Sequence, residues 1–397
     1  MLKRRTTSLI RSKGVPAWWA ALFKASGNTS IFLTPSWIQG WIEQYADDFS
    51  GEWLSWEVGG QVVGGCLVLE RVVRVRGMPM RSVFLNATGM AASPTPLAEF
   101  NEVLHLAQHR EAIVEDLAAL LTRRSWNRCF LSGYEDGSLC AELALRLDAI
   151  TAEHETRAAP YVDIGVLSDR SFDLALTGST GTQVRKSRRV YEAQLGLLSV
   201  RPAASLEEAL TFFAEMARLH LARWHAQGES TTMSSEVVLE FHRRLIRRLW
   251  VDSQVELVRV GGPDKVIGYL YNYVFARKVF FFQSGFDYEL DAARSPGMLT
   301  HALAIEHYRQ RGMQEYDFLA GDARYKRSLA NAHRELRWSI LYKDQLWTRA
   351  FLLGRRIWAK FSQGHAASPH ALVPSGNDRQ RVASLKGSER ELADQAM

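Results

Sequence analysis

The stretch that decides the fold is ARSPGMLTHALAIEHYRQRG, residues 293–312, followed closely by EYDFLAGDARYK, residues 315–326. A Ser-Pro-Gly turn leads into a segment with apolar residues at helical spacing, Gly312 ends it, and a short apolar run follows. This pattern predicts a helix that lies between the strands in KVFFFQSGFDYE and QEYDFLAG and packs one face on a sheet. The residues that fall on one broad arc of that helix, at 100° per residue, are Met298, Leu299, Ala302, Leu303 and Ile305.

The start of this helix is a candidate anion site. The first-turn amides of a helix have no intrahelical partner, and the helix dipole is positive there. Gly297 has no side chain to keep a phosphate from its amide, and Arg294 adds charge. Taken alone, the residues SPGM favour a plainer interpretation, in which Ser295 caps the helix and Pro296 occupies its first turn.

The chain also contains an internal similarity. LSWEVGGQVVGGCLVLE, residues 54–70, and VELVRVGGPDKVIGYLYNY, residues 255–273, each contain a strand, a Gly-Gly turn and a second strand with a glycine inside it. Each is preceded by a helical pattern, PSWIQGWIEQYA or FHRRLIRRLW, and followed by another β-rich stretch. Chance similarity of two hairpins is the alternative. The sequence favours a duplicated chain of two related α/β (α+β) domains, each with a mixed central sheet flanked by helices.

Composition limits the class of protein. The 397 residues are 47% hydrophobic, 11% aromatic and 23% charged, which is typical of a folded globular protein. The formal net charge of +6 favours anionic partners without choosing among them, and allows peripheral contact with an anionic surface. Cys66, Cys129 and Cys140 lack metal-ligand spacing, so no metal site is expected. A membrane span is not expected, because no run of about 18 apolar residues occurs.

The domain boundaries follow from the same pattern. We expect a basic, flexible N-terminus at 1–14, an N-terminal domain at 15–165, a C-terminal domain at 166–363 and a disordered tail at 364–397. The basic start and the apolar stretch 15–23 weakly resemble a signal peptide, but an amphipathic first helix is favoured. The expected location is the cytoplasm.

Four segments of the second half carry a family resemblance. They are HLARWHAQG at 220–228, FHRRL at 241–245, SPGM at 295–298 and FLAGDARYK at 318–326. In this order they resemble the Gcn5-related N-acetyltransferase (GNAT) superfamily. The similar branch contains the bacterial FemAB-like and CelD-type proteins, which are associated with cellulose and exopolysaccharide loci. The first half resembles the degenerate acyltransferase-like domain expected in that branch.

The resemblance implies a cofactor site. In the superfamily the loop before the central helix cradles the pyrophosphate of coenzyme A, with a Gln/Arg-x-x-Gly-x-Gly/Ala pattern. This sequence keeps the Arg and the first Gly but has Leu299 where the pattern has a small residue. Acetyl-CoA, or another acyl-CoA, is therefore the expected co-substrate. The implied cofactor-binding residues are Arg294, Ser295, Pro296, Gly297, Met298 and Leu299.

Candidate catalytic residues lie past the following strand, where the carboxyl end of a strand presents loop residues to a cleft. Asp322 could orient Lys326 or deprotonate the incoming amine, Tyr325 could protonate the departing thiolate, and Lys326 could bind an anionic acceptor or oxyanion. A plain Asp322–Lys326 surface pair and a half-buried core Tyr325 are the alternatives.

Candidate substrate-binding residues come from two helical patterns. His220, Arg223 and Trp224 belong to the HxxRWxxxG segment, although His220 and Trp224 are four residues apart and packing is an equal alternative. Arg188 and Arg189 lie in QVRKSRR, residues 183–189, where a solvated helix face is favoured over an anion-binding one.

These observations predict an N-acyltransferase that uses an acyl-CoA and acts on an amino group of an amino sugar or an envelope or exopolysaccharide precursor. Two alternatives stay open. One is FemAB-like aminoacyl transfer from charged tRNA, although no sustained heptad arm occurs. The other is a non-catalytic accessory factor of polysaccharide (cellulose) synthesis. The expected partners are a small-molecule or glycan-precursor acceptor and the polysaccharide-synthesis machinery, without DNA.

Overall fold

The computed structural model describes residues 1–12, 14–75, 77–86, 98–147, 149–167, 171–229, 231–289 and 295–361. They divide into two compact units. Unit 1 holds Met1–Thr156 and the described residues from Glu335 onward, and unit 2 holds Arg157–Arg334. The predicted tail at 364–397 lies outside the described residues. No helix of the described chain is long and apolar enough to cross a bilayer.

Unit 1 is a sheet with the strand order β1-β2-β3-β4-β6-β13, and β5 adds to β3. The β4–β6 pair is parallel and the neighbouring pairs are antiparallel, so the sheet is mixed. Its strands are β1 (Lys3–Ser8), β2 (Ser50–Val58), β3 (Gln61–Val75), β4 (Met78–Leu85), β5 (Leu104–His105), β6 (Arg128–Tyr134), the first half of β7 (Ala149–Asp163) and most of β13 (Ala332–Lys343). Its helices are α1 (Leu9–Ser12), α2 (Ala17–Ala25), α3 (Pro35–Tyr45), α4 (Arg110–Arg123), α5 (Leu139–Arg146) and α12 (Leu346–Phe361), with 3-10 turns at Ile31–Leu33, Ala46–Asp48 and Ala107–His109.

Unit 2 has the strand order β8-β9-β10-β11-β12-β7, in which β11 and β12 are parallel. This mixed sheet confirms the predicted fold class. Its strands are β8 (Ser199–Pro202), β9 (Val255–Gly261), β10 (Val266–Phe275), β11 (Lys278–Phe286) and β12 (Glu315–Asp317). Its helices are α6 (Phe172–Ala175), α7 (Gly178–Leu195), α8 (Leu206–Ala226), α9 (Glu236–Val251), α10 (Pro296–Gln310) and α11 (Arg324–Leu329), with a 3-10 turn at Thr232–Ser234.

The two units repeat one order of elements. A strand, a pair of longer helices, a hairpin, a third hairpin-linked strand, a helix and a parallel strand follow each other as β1 to β6 and again as β8 to β12. The first repeat adds the four-residue α1 and the two-residue β5 to this order. The inner glycines Gly64 and Gly268 each lie beside a register shift. A Cβ at Gly64 would lie 2.4 Å from Ile113 Cδ1, and one at Gly268 would lie 2.5 Å from Phe286 Cδ1. Both positions therefore need glycine for close packing, as the sequence match suggests.

β7 and β13 each have residues in both units, and each pairs with a strand of the unit that holds its paired residues. β7 follows the first repeat but pairs with β12 at Tyr161–Asp163, and β13 follows the second repeat but pairs with β6 at Arg337–Tyr342. The boundaries between the two compact units consequently lie inside β7 and inside β13. These two boundaries differ from the single domain boundary predicted near residue 165. The sequence could not predict them, because local patterns do not show which sheet a strand joins.

The prediction of a flexible N-terminus is wrong for residues 3–12. Lys3–Ser8 pair antiparallel with Glu52–Glu57 of β2, and Leu9 is buried. Arg4 Nη1 donates to Asp116 Oδ2 over 2.5 Å. An edge strand needs only main-chain partners on one side, so this polar segment is ordered without an apolar periodicity of its own.

Candidate functional site

The parallel strands β11 and β12 diverge and leave a wedge in unit 2. Their pairing covers Lys278–Phe280 and Glu315–Asp317. Beyond it the chain turns toward β7, because Phe318 N donates to Pro160 O over 3.1 Å and Gly321 N donates to Ala158 O over 3.0 Å. β11 instead continues beside β10 to Phe286.

A β-bulge accounts for the divergence. The register of β10 against β11 passes from Tyr271↔Gln283 to Asn272↔Phe281, which leaves Phe282 as the extra residue. Such a bulge bends its strand and increases its twist. We call the space between residues 281–286 and 318–321 the wedge.

Helix α10 follows β11 and begins near the open end of the wedge. Ser295 precedes it in the left-handed conformation (φ 50°, ψ 63°), and its side chain does not cap the helix. Ser295 Oγ instead accepts from Gln183 Nε2 on α7 over 2.6 Å. The alternative interpretation of Ser295 as an ordinary cap is therefore wrong, and no acidic residue lies in the first turn. These features suit an anion at the start of α10.

The predicted cofactor residues differ in what they expose. A Cβ at Gly297 would lie 2.9 Å from Phe286 Cε2, so the glycine lets α10 approach the end of β11. Pro296 and Leu299 are buried and Met298 packs against the core, so these side chains support the helix. Arg294 lies outside the described residues.

The residues after β12 pair differently from the prediction. Asp322 is exposed and forms an ion pair with Arg327, not with Lys326. Lys326 Nζ donates to Leu319 O over 3.3 Å and to Ala320 O over 3.2 Å. The segment is also helical from Arg324 rather than a loop, which turns Lys326 back over residues 319–321 and places Arg327 beside Asp322. The expected orientation of Lys326 by Asp322 is thus wrong.

Tyr325 stacks on a histidine that the sequence reasoning did not single out. The rings of Tyr325 and His301 are 5.3 Å apart at an interplanar angle of 13°. His301 is fully buried, its Nδ1 lies 3.0 Å from Tyr316 Oη, and its Nε2 has no hydrogen-bond partner within the described structure. Phe281 and Phe318, on the two sides of the wedge, also contact this ring. The sequence did contain one indication of this role, because His301 lies beside the predicted apolar arc of α10.

Burial sets the protonation of this pair. Burial, together with a smaller effect of nearby Lys326, lowers the pKa of His301 to about 3, so the imidazole is neutral at physiological pH. Burial raises the pKa of Tyr325, and the neighbouring Tyr288 raises it too. The Tyr325 phenol consequently keeps its proton over the physiological range, as a general acid must.

The end of α8 contributes a further group beside β11. The Arg223 guanidinium lies over the Tyr288 ring at 4.3 Å, which brings the predicted Arg223 near the residue that neighbours Tyr325. Trp224 is half-buried, with its ring 5.9 Å from that of His220. Arg223 and Trp224 therefore remain candidates for contact with an acceptor.

His220 is a packing residue. Its Nδ1 lies 3.1 Å from Ser284 O and its Nε2 lies 3.1 Å from Thr231 Oγ1, so both ring nitrogens are engaged inside the protein. Burial lowers its pKa to about 4. These contacts tie α8 to β11 and favour the packing alternative, and the role of His220 in substrate binding stays a prediction.

This assignment predicts a pH-dependent stability difference between the wild type and His220→Gln. Below its ordinary pKa of 6.5 the unfolded chain binds a proton at His220 that the folded chain rejects down to about 4, so the histidine destabilises the fold as pH falls through this window. Between pH 6.5 and 4.5 the wild type should lose about 2 kcal/mol more unfolding free energy than the variant. Urea unfolding at several pH values measures this, and a pH-independent difference would contradict it.

The basic face of α7 is partly neutralised. Arg188 forms ion pairs with Asp173 and Glu192 within the unit, and its contact with a substrate stays a prediction. Arg189 is exposed on the same helix, whose Gln183 reaches the start of α10. Arg189 thus remains available to an anionic ligand.

The corresponding space in unit 1 is filled by the protein itself. β4 and β6 pair at Ser82–Phe84 and 128–130 and then separate, as β11 and β12 do. Asn101 lies between them, since its N donates to Gly133 O over 3.0 Å and its Nδ2 donates to Leu85 O over 3.2 Å. A Cβ at Gly133 would meet Ala98 O at 2.6 Å. The segment 98–101 therefore occupies the position equivalent to the wedge.

Comparisons with known proteins bear on the family and fold of the chain. Residues 178–327 match the family model described as "Acetyltransferase (GNAT) domain". The solved structure titled "Crystal structure of FemX" is similar at 10% identity over 88% of this chain and 99% of that chain, with a TM-score of 0.55. No curated protein matches the chain.

Two further solved structures are more distant. "The structure of L-PGS from Bacillus licheniformis" is 9% identical over 87% of this chain and 97% of that chain, with a TM-score of 0.47. The "Tandem GNAT protein from the clavulanic acid biosynthesis pathway" is 12% identical over 85% and 98% of the two chains, with a TM-score of 0.43. The family match and the FemX likeness support the GNAT, FemAB-like fold expected from the sequence.

Proposed function

Because residues 178–327 are a GNAT acyltransferase domain, we propose that the chain transfers an acyl group, most simply acetyl, from coenzyme A to an amine. The observation that carries this proposal is the wedge of unit 2, where β11 and β12 stop pairing and no chain segment bridges them as residues 98–101 do in unit 1, within the described residues. The start of α10, with Ser295 turned toward Gln183, lies beside it.

The residues present fit an acyl-CoA. The start of α10 would hold the pyrophosphate, because it carries no acidic side chain in its first turn and Gly297 keeps its approach clear of a side chain. Residues 281–286 of β11 have no β12 partner, so this strand edge, apart from Ser284 whose N and O are engaged by side chains, can bind an extended amide-containing arm by main-chain hydrogen bonds.

The chemistry required of the chain is modest. Bound acyl-CoA supplies an activated thioester, which the amine attacks as the C–N bond forms and the C–S bond breaks. Tyr325 would donate its phenolic proton to the departing thiolate, and its stacking on His301 fixes the ring. The proton lost by the amine restores Tyr325 through solvent, so the net products are an amide and a thiol.

The acceptor is proposed to be the amino group of an amino sugar or of an envelope or exopolysaccharide precursor. Arg223 and Trp224 would contact it from α8, and Arg189 would contact a phosphate or other anion from α7. Lys326 holds the main chain at 319–320, so we assign it to positioning the wedge rather than to acceptor binding.

A thiol-release assay tests the function. Purified protein with acetyl-CoA should release free thiol with glucosamine-type acceptors and not with their N-acetylated counterparts, which lack the free amine. If acetyl-CoA does not bind saturably, the proposal that it is the acyl donor is contradicted. If charged tRNA supports transfer and acetyl-CoA does not, the aminoacyltransferase alternative replaces this proposal. Tight acetyl-CoA binding without turnover on any amine would favour the accessory-factor alternative.

The filled space in unit 1 predicts a binding stoichiometry. Calorimetry should give one acetyl-CoA per chain, since Asn101 and its neighbours occupy the equivalent position in unit 1. Removing the unit 1 contacts with Asn101→Ala should leave that stoichiometry and affinity unchanged, because the site is in unit 2. Two sites per chain would show that the segment 98–101 does not exclude the ligand.

A further inference from the structure

Helix α12 exposes an apolar stripe on the side opposite to its packed face. Thr348 and Phe351 are buried, and Phe351 stacks on Tyr342 of β13. Leu346 and Leu353, at 88% and 58% exposure, lie about 180° around the helix from that face. A surface helix of a globular protein normally has polar residues on the face opposite to the core. The second apolar stripe is therefore not needed to fold unit 1.

The stripe is continuous. Leu346, Leu353 and Ile357 fall within an arc of about 40° at 100° per residue. Ile357 is 49% exposed. Trp347, about 80° around the helix from Ile357, is 46% exposed, and its Nε1 donates to Pro79 O. Other exposed large apolar side chains of the described residues occur singly or in pairs on separate elements. Contiguous exposed apolar surface of this kind marks an interaction site.

The charge of the segment identifies the partner class. Residues 343–361 contain five Lys or Arg and one acidic residue, Asp344. Asp344 pairs with Arg349, and Arg355 pairs with Glu153, but the helix itself contains no acid. A basic helix of this kind would oppose a second copy of itself. An apolar stripe with basic residues, Trp and Leu is the pattern of a helix that lies in the interface of an anionic bilayer.

We infer that the exposed stripe of α12, Leu346, Leu353 and Ile357, docks the protein on an anionic lipid surface. The stripe enters the headgroup region while Phe351 keeps the opposite face on unit 1. The inference does not rest on the proposed acyltransferase activity. Loss of docking should leave turnover on a soluble acceptor unchanged.

Vesicle co-sedimentation of the full chain tests the docking. Wild type should bind vesicles of phosphatidylcholine mixed with phosphatidylglycerol, bind pure phosphatidylcholine weakly, and lose affinity as salt rises. The double variant Leu353→Glu/Ile357→Glu should bind about tenfold or more weakly, because two apolar anchors are lost and two like charges face the lipid. Both sites are exposed, so the fold should persist, which thermal unfolding checks.

The matched control is Val237→Glu/Val251→Glu on α9, which makes the same charge change at two other exposed apolar positions. It should bind the anionic vesicles like the wild type. Absence of wild-type binding, or equal loss in both double variants, would overturn the proposal. A concentration-dependent dimer that only the α12 variant abolishes would also overturn it, because a second copy would then cover the stripe.

Discussion

Gly297→Glu is expected to weaken acetyl-CoA binding by about 100-fold or more, measured by calorimetry. The carboxylate would stand in the first turn of α10, where it would neutralise the positive end of the dipole and repel the donor's phosphates. The substitution also places a Cβ 2.9 Å from Phe286 Cε2, which strains the contact between α10 and β11. Such overpacking typically costs about 1–3 kcal/mol of stability.

Gly297→Ala is the matched control, because it introduces the same Cβ without the charge. It should share the loss of stability but weaken acetyl-CoA binding by only about five- to tenfold. Acetyl-pantetheine, which lacks the pyrophosphate, provides a second comparison, and its turnover should be affected equally by both variants. Equal acetyl-CoA affinity in the alanine and glutamate variants would contradict a pyrophosphate site at α10.

Tyr325→Phe is expected to lower kcat by about 10²- to 10³-fold with little change in KM for acetyl-CoA, because the ring stays and only the proton donor is lost. The phenyl ring can keep its stacking on His301, so the unfolding free energy should change little. Since burial raises the pKa of Tyr325, the wild-type phenol stays protonated at alkaline pH. The kcat profile should therefore show no Tyr325-dependent fall up to about pH 9.

Changing the leaving group of the thioester distinguishes a catalytic role of Tyr325 from a packing role. A thioester of an acidic thiophenol leaves without protonation, so Tyr325→Phe should turn it over at less than about a tenfold disadvantage. Tyr288→Phe, which alters the neighbouring phenol under Arg223, serves as the control and should lose much less activity on acetyl-CoA. An equal defect of Tyr325→Phe on both thioesters would assign Tyr325 to structure alone.

The sequence predicted much of the fold because those features are local. Helical spacing identified α10, and Gly-Gly turns between apolar strands identified both hairpins, which confirms the duplicated order of elements. Even so, the two Gly-Gly pairs serve different structural purposes. Gly59 and Gly60 both have positive φ and form the turn of the first hairpin, whereas Gly262 allows a close approach, since its Cβ would meet Leu195 O at 2.1 Å.

The partners of the candidate site residues could not be predicted in this way. Asp322 and Lys326 are four residues apart, but a helix that begins at Arg324 gives Asp322 to Arg327. His220 belongs to a family-like segment, but Ser284, on a strand distant in sequence, engages its Nδ1. His301 could be recognised as a site residue only from the tertiary structure, in which Phe281 of β11 and Phe318 after β12 contact its ring.

The sequence by itself determined the repeated α/β elements, the helix after the Ser-Pro-Gly turn and the family resemblance, since periodicity and turn chemistry act over a few residues. Only the tertiary structure decided in which repeat the diverging strands are bridged, because Asn101 contacts both Leu85 and Gly133 across the sheet of unit 1. It also decided which strands β7 and β13 pair with. Strand partnership depends on main-chain hydrogen bonds between residues far apart in the chain, which no local pattern records.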